Sequence, residues 1–105
     1  MRAFTVKREY AERIGSGDKR FEIRNFRPTY RGPVVVTISG EKIAYCVAEL
    51  TDIMPTNNVI LLTDEERAYG KCAWLLTNVY RVKPVACRGK LGLWTWTGQP
   101  LERLV

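Results

Sequence analysis

The chain contains no histidine, and its three cysteines, Cys46, Cys72 and Cys87, are widely spaced with no CxxC pair. An odd, scattered set of thiols without imidazole argues against a structural zinc site, so no metal is expected. Long apolar runs are also missing. No window stays apolar for the roughly 18 residues that a membrane span requires, which points to a soluble protein without a membrane partner. Arg2, Lys7, Arg8 and Glu9 leave no apolar segment between a basic start and a small-residue cleavage site, unlike a signal peptide. The expected compartment is the cytoplasm. Internal repeats, low-complexity stretches and an interior linker are absent as well.

What remains is an ordinary globular composition, 46% hydrophobic and 27% charged, over 105 residues. That length suits one compact domain, taken as residues 1–105, and is short for two. The formal net charge is +6. Clustered lysine and arginine release counterions on meeting phosphate, so an anionic partner is favoured, although solubility alone also explains such a charge.

Hydrophobic spacing supplies the elements. Val6, Tyr10, Ala11 and Ile14 recur at helical intervals, with Thr5 as a cap and Gly15 and Gly17 as stop signals. From Arg20 to Phe26 the pattern alternates, which puts Glu22, Arg24 and Phe26 on one face and Phe21, Ile23 and Asn25 on the other. Pro28 and Gly32–Pro33 mark a turn before the β-branched run Val34–Ser39, and Gly40–Lys42 reverses the chain. Residues 43–53 read as a long strand covered on both sides, with Ile43, Tyr45 and Val47 opposite Ala44, Cys46, Ala48 and Leu50. Residues 55–58 form a loop, and a TDEE cap sequence starts a helical turn over 63–69 that Gly70 ends. Residues 73–82 read as a further strand, with Trp74, Leu76, Asn78, Tyr80 and Val82 on one face. A basic turn at 89–92 precedes a last strand over 93–97 and a polar tail. Five or six strands with one or two short helices predict a mostly β (α+β) domain, most economically a small barrel that removes exposed edges.

The stretch Gly17-Asp18-Lys19-Arg20-Phe21-Glu22-Ile23-Arg24 stands out, because a lysine on a glycine turn precedes a glutamate and an arginine that share a strand face. Plain structural roles exist for each. The lysine would complement a helix dipole, and the glutamate and arginine would form a surface pair contributing about 0 to 1 kcal/mol. Taken together, the three can converge on one pocket.

The same stretch resembles the GxKxxExR signature of ASCH domains, in the PUA-like superfamily, and it lies between a short helix and a strand as it does there. Arg27, Tyr30, Arg31, Gly32 and Pro33, the strands at 34–39 and 44–50, and Ala73, Trp74, Leu76 and Asn78 resemble later family segments. So do Lys83, Pro84, Val85, Arg88, Gly89, Lys90, Gly92, Leu93 and Trp94. The resemblance implies a pseudo-barrel with a cleft beside the signature, binding RNA or a modified nucleotide or nucleoside, with no cofactor. Some members are instead nucleases or amidohydrolases that release an acyl group from acylated cytidine. Those amidohydrolases tend to carry a hydroxyl residue where this chain has Glu22, which moves the expectation toward a binding module.

The residues then take roles. Arginine orients a phosphate or a base carbonyl through its planar fork, lysine polarises an acyl oxygen or activates water if its pKa falls, and a carboxylate shuttles the proton. Candidate ligand-binding residues are Lys19, Glu22, Arg24, Phe26, Arg27, Tyr30 and Ser39, and Tyr69 is a further candidate for lining the cleft. Under the alternative of a metal-independent N4-acylcytidine amidohydrolase or ribonuclease, Lys19 and Glu22 are the catalytic candidates. The resemblance implies a second carboxylate from the later helical segment, Glu65 or Glu66, whose plain role is helix N-terminal charge. Lys7, Arg8, Arg27, Arg31, Arg88 and Lys90 form the expected phosphate-backbone track. Trp74, Trp94 and Trp96 are stacking candidates alongside Phe26 and Tyr30, with Trp94 better placed in a core. A protein-interaction module without a nucleotide ligand is the third reading.

Overall fold

The computed structural model describes residues 1–104. Its elements are β1 (Arg2–Val6), α1 (Arg8–Ser16), β2 (Phe21–Arg24), β3 (Gly32–Ile38), β4 (Ile43–Pro55), a 3-10 turn (Thr56–Asn58), α2 (Asp64–Tyr69), β5 (Cys72–Ala86) and β6 (Trp94–Thr95). The strands make one sheet in the order β2-β5-β4-β3-β1-β6, curled into a half-barrel. All neighbours are antiparallel except β1 and β3, which run parallel from Arg2 opposite Val34 to Val6 opposite Ile38. The expected mostly β architecture with short helices is the one observed, with the sheet left open as a half-barrel whose edges are β2 and β6.

The concave face holds the main core. Phe4, Val6, Ala11, Ile14, Val34, Val36, Leu50, Trp74 and Leu76 are buried there, and α1 closes it with Ala11 and Ile14. Burying each large apolar side chain contributes about 1.5–3 kcal/mol, so this cluster dominates the stability of the domain. On the convex face, Ala3, Val35, Ala44, Val47 and Val82 lie under Trp94, Trp96 and Leu101. A smaller cluster of Ile23, Val59, Leu62 and Ala73 seats α2 and its approach segment beside β2.

Several sequence expectations are corrected. Thr5 is not a helix cap; it lies inside β1, and α1 starts after Lys7, whose side chain makes no capping bond. Val6 therefore belongs to a strand, and its helical spacing with Tyr10 is a coincidence of two elements meeting. The strand expected over 20–26 is shorter, because β2 pairs with β5 only from Phe21 to Arg24. Its phase is as expected, with Phe21 and Ile23 in the α2 cluster and Glu22 and Arg24 facing the concave side. The expected alternation in the two long strands breaks. One extra residue of β4 falls between Ala44 and Cys46, so Tyr45 and Cys46 both join the concave core while Val47 turns outward. In β5 the register slips between Thr77 and Tyr80 at Asn78, which has φ 50°. Beyond that bulge Val79 packs inward, whereas Tyr80 and Val82 pack outward with the second cluster. A bulge inserts one residue and reverses the phase of everything after it. β6 is only two residues long, and the polar tail is pinned by the Val82–Arg103 bridge and by Lys83 N–H donating to the Glu102 carbonyl at 2.8 Å.

The turn at 63–69 forms as read, with Thr63 and Glu66 completing a reciprocal capping box. Gly70 then runs tight against β2, since a Cβ there would come within 2.9 Å of the Arg24 carbonyl oxygen and 3.0 Å of its carbon. Backbone cannot yield as a side-chain tip can, so Gly70→Ala is expected to cost about 1–3 kcal/mol in urea unfolding. An unchanged midpoint would show that the end of α2 shifts freely.

Candidate functional site

The site begins at the end of α1. Gly17 takes a left-handed conformation at φ 88° and donates to the Ile14 carbonyl, and Lys19 N–H donates to the Arg13 carbonyl at 2.9 Å. This helix stop needs a residue free of Cβ strain, which explains the glycine. It also turns Lys19 inward. The Lys19 side chain retains 10% exposure, with Nζ 5.6 Å from the centre of the Tyr10 ring and 3.9 Å from Glu22 Oε1.

Glu22, with a side chain 9% exposed, is primarily the partner of Arg24, whose Nε donates to Oε2 at 2.7 Å. Arg24 Nη2 donates to the carbonyl of Thr5 at 3.0 Å, and its guanidinium lies 5.6 Å from the ring centres of both Phe4 and Trp74. The arginine is thus held at both ends and flanked by two rings. At 3.9 Å Lys19 is ion-paired to Glu22 but not hydrogen-bonded to it, which leaves ammonium donors for another acceptor.

Two cations share one near carboxylate. Burial pulls the Lys19 pKa below its ordinary value, against the attraction of Glu22 and then of Glu66, with Arg13 and Arg24 adding to the fall. Glu66 is held below the ordinary carboxylate range, first by its hydrogen bond from the Thr63 backbone, with Lys19 and Arg13 contributing. α2 therefore brings Glu66, rather than the exposed Glu65, into the field of the lysine.

The rim comes from other segments. Phe26 lies just past β2, 42% exposed, with its ring edge-on to the buried Trp74 at 5.2 Å and its carbonyl accepting from Trp74 Nε1 at 3.4 Å. The 88–92 turn closes over β1: Thr5 Oγ1 donates to the Lys90 carbonyl at 3.3 Å, and Gly89 leaves room for the Thr5 side chain. Gly92 sits beside the tip of Phe26. Behind the rim, Thr5 and the fully buried Thr37 share a 2.9 Å hydroxyl contact, and Thr37 donates to the Phe4 carbonyl. Phe4, Thr5 and Thr37 join the site only through the nonlocal β1–β3 pairing, which no local pattern in the sequence signals. Two surface depressions, of 390 and 500 Å³, lie between α1 and the β4/β5 ribbon.

Other candidates have separate placements. Arg27 donates to the Ile53 carbonyl, and Arg31 donates to those of Pro28 and Tyr30. Tyr30 donates to the Pro33 carbonyl and lies under Arg2. Arg8 makes a bidentate pair with Glu41 at 2.6 Å. Ser39, Lys7, Arg88 and Tyr69 are exposed, Ser39 N–H donating to the Val6 carbonyl. Of the expected phosphate track, Arg8, Arg27 and Arg31 thus already have protein acceptors. Trp94 and Trp96 stand 6.0 Å apart on the convex face, away from Trp74. Among the described residues no group of three or more metal-ligating side chains gathers, and no helix is long and apolar enough to cross a membrane.

The half-barrel, with a lysine, glutamate and arginine gathered where α1 enters β2, is consistent with a PUA-like domain. The ASCH domain model matches residues 4–86, and the chain belongs to that family. Three crystal structures of ASCH from Zymomonas mobilis share the fold at 18% identity, each matched over 91% of this chain. A tyrosine-to-phenylalanine mutant has a TM-score of 0.73 over 90% of its own chain, and a serine-to-alanine mutant 0.72 over 88%. The unsubstituted protein follows at 0.68 over 87%. No curated protein matches the sequence.

The folded chain binds the Lys19 proton less tightly than the unfolded chain, so the unfolded state carries more protons between the lowered value and the ordinary 10.5. Stability from this group therefore rises with pH across that window. Wild type should gain on Lys19→Met as pH climbs through that window and level off above it. A difference that stays flat in pH-resolved urea unfolding, or moves the other way, contradicts the burial of a charged lysine.

Proposed function

We propose that the chain binds RNA or a modified nucleotide at the Lys19–Glu22–Arg24 cluster. The observation that carries this reading is the charge count there: two largely buried cations share one close carboxylate, beside the half-exposed ring of Phe26. The surplus positive charge suits a phosphate or a base carbonyl, and Lys19 has donors to offer it. Phe26, already braced on Trp74, supplies a face for a base, and such stacking contributes roughly 1–3 kcal/mol. Lys90 and Arg88 lie on the turn that borders the same rim. A cytoplasmic RNA or nucleotide pool fits such a ligand.

Lys19→Ala is expected to weaken binding of short RNAs or modified nucleosides roughly tenfold or more, since a hydrogen bond to a charged group contributes about 1.5–3 kcal/mol. Fluorescence polarisation at low and high salt reads the effect, with the melting temperature as a control on folding. A variant that binds as wild type at both salts would rule out this site.

A carboxylate 3.9 Å from the Lys19 ammonium, together with a pKa that burial lowers against the opposing pull of Glu22 and Glu66, favours hydrolysis as a second reading. In that chemistry the neutral amine accepts a proton from water attacking an acyl carbon, and a carboxylate relays a proton to the leaving nitrogen. Purified protein should then release cytidine from N4-acylcytidine or cleave RNA, and Lys19→Ala should abolish turnover while the fold persists. No turnover across acylated cytidines and RNA substrates removes the enzyme reading and leaves the binding one.

A further inference from the structure

The ring of Tyr45 carries two guanidinium groups with opposite fates. Arg8 lies 5.7 Å from its centre and spends its fork on Glu41, both nitrogens donating at 2.6 Å. Arg81 lies closer, 3.8 Å from the same centre, and forms no salt bridge among the described residues. Its Nε is buried with no hydrogen-bond partner. Buried polar groups in native proteins are nearly always satisfied, and a cation stacked on an aromatic ring loses little further freedom on taking a ligand. Arg81 is thus held over the ring with one buried N–H unpaired among the described residues.

The space in front of it is formed by the fold. Arg81 and Tyr45 line the 390 Å³ depression under the last turns of α1, together with Arg13. Gly15 lets the helix approach, since a Cβ there would meet Tyr45 at 2.9 Å and Arg81 at 3.0 Å. The β4 bulge at Tyr45 and the β5 bulge at Asn78 set the phase of the two stacked residues. A second depression continues past Gly15 and Ser16 to Arg20. Glu12 and Asp18 also line the first depression and oppose an anion, matching Arg13 and Arg81 in number there; a third arginine, Arg20, lines only the second depression.

We propose that this groove is a second anion-binding site, separate from the Lys19 cluster, in which Arg81 and Arg13 hold a phosphate group against the tyrosine-stacked wall. Its source is either a free phosphate or a phosphate of a nucleotide chain, and the two separate experimentally. In NMR at constant ionic strength, inorganic phosphate should shift the Arg81 Nε–H signal and the Tyr45 ring signals saturably. Arg13→Gln, on the exposed helix surface, should weaken that binding roughly tenfold. Asp18→Asn should tighten it, an effect that a merely damaged fold would not produce. Lys19→Ala should leave the inorganic phosphate response intact, so failure of nucleotide binding at the signature is read separately from failure here. A short 5′-phosphorylated RNA that moves Arg81 and Lys19 signals together identifies a chain phosphate, whereas a response to inorganic phosphate alone identifies the free ion. The proposal is overturned if chloride at equal ionic strength reproduces the shift, if phosphate fails to saturate, or if Asp18→Asn weakens the response.

Discussion

The connection from Glu22 through Arg24 to the Thr5 carbonyl is the constraint on which the site depends. β2 opens the sheet order and β1 stands fifth, so no ladder hydrogen bond joins them. Arg24 spans that gap, with Nε on Glu22 at 2.7 Å and Nη2 on Thr5 at 3.0 Å. A half-barrel leaves two free edges, and a charge-assisted bridge across its mouth substitutes for the missing ladder. The bridge has a condition. A largely buried guanidinium is tolerated only while its carboxylate and carbonyl remain in place, because removing one partner strands a charge away from water. Structure and the proposed binding therefore compete for the same three side chains.

That competition separates the roles within the signature. Arg24 is engaged at both ends and sits beside Phe4 and Trp74, so its first task is architectural. Lys19 has no such hydrogen-bonded partner and carries the desolvation cost. An isolated surface lysine would contribute little to either stability or recognition. A nearly buried one, 3.9 Å from a carboxylate already claimed by arginine, is a group that a ligand acceptor can satisfy.

The signature and its strand phase were legible because Glu22 and Arg24 fall within four residues of unbroken alternation. The TDEE cap was legible because its bonds are local. β1 was not, since its stability comes from parallel pairing with β3 about thirty residues away, and Val6 happens to extend the helical spacing of α1. Phe4, Thr5 and Thr37 were lost with it. The bulges in β4 and β5 were equally hidden, because Tyr45-Cys46 and Asn78-Val79 look like ordinary strand residues until their partners' register is known. Arginine partners are nonlocal as well. Sequence counts Arg8 and Arg31 as free cations, yet one meets Glu41 and the other the carbonyls of its own turn.

The nonlocal partners also redistribute the effective positive charge of the chain. A net charge of +6 suggests a diffuse basic surface, but each arginine whose fork is filled contributes less to anion recognition than its formal charge implies. Arg13 has no salt bridge among the described residues; it borders the groove and also lies close enough to Lys19 and Glu66 to affect both. The last turn of α1 is therefore a shared wall, with the Lys19 cluster on one side and the Arg81 groove on the other. Placing these cations at a helix C-terminus offsets the partial negative charge of its free carbonyls, which lets positive groups gather there at lower cost than on a bare sheet. α1 thus does more than cap the half-barrel: its glycine-rich exit aims Lys19 inward, and Gly15 sets the distance at which the stacked arginine is held.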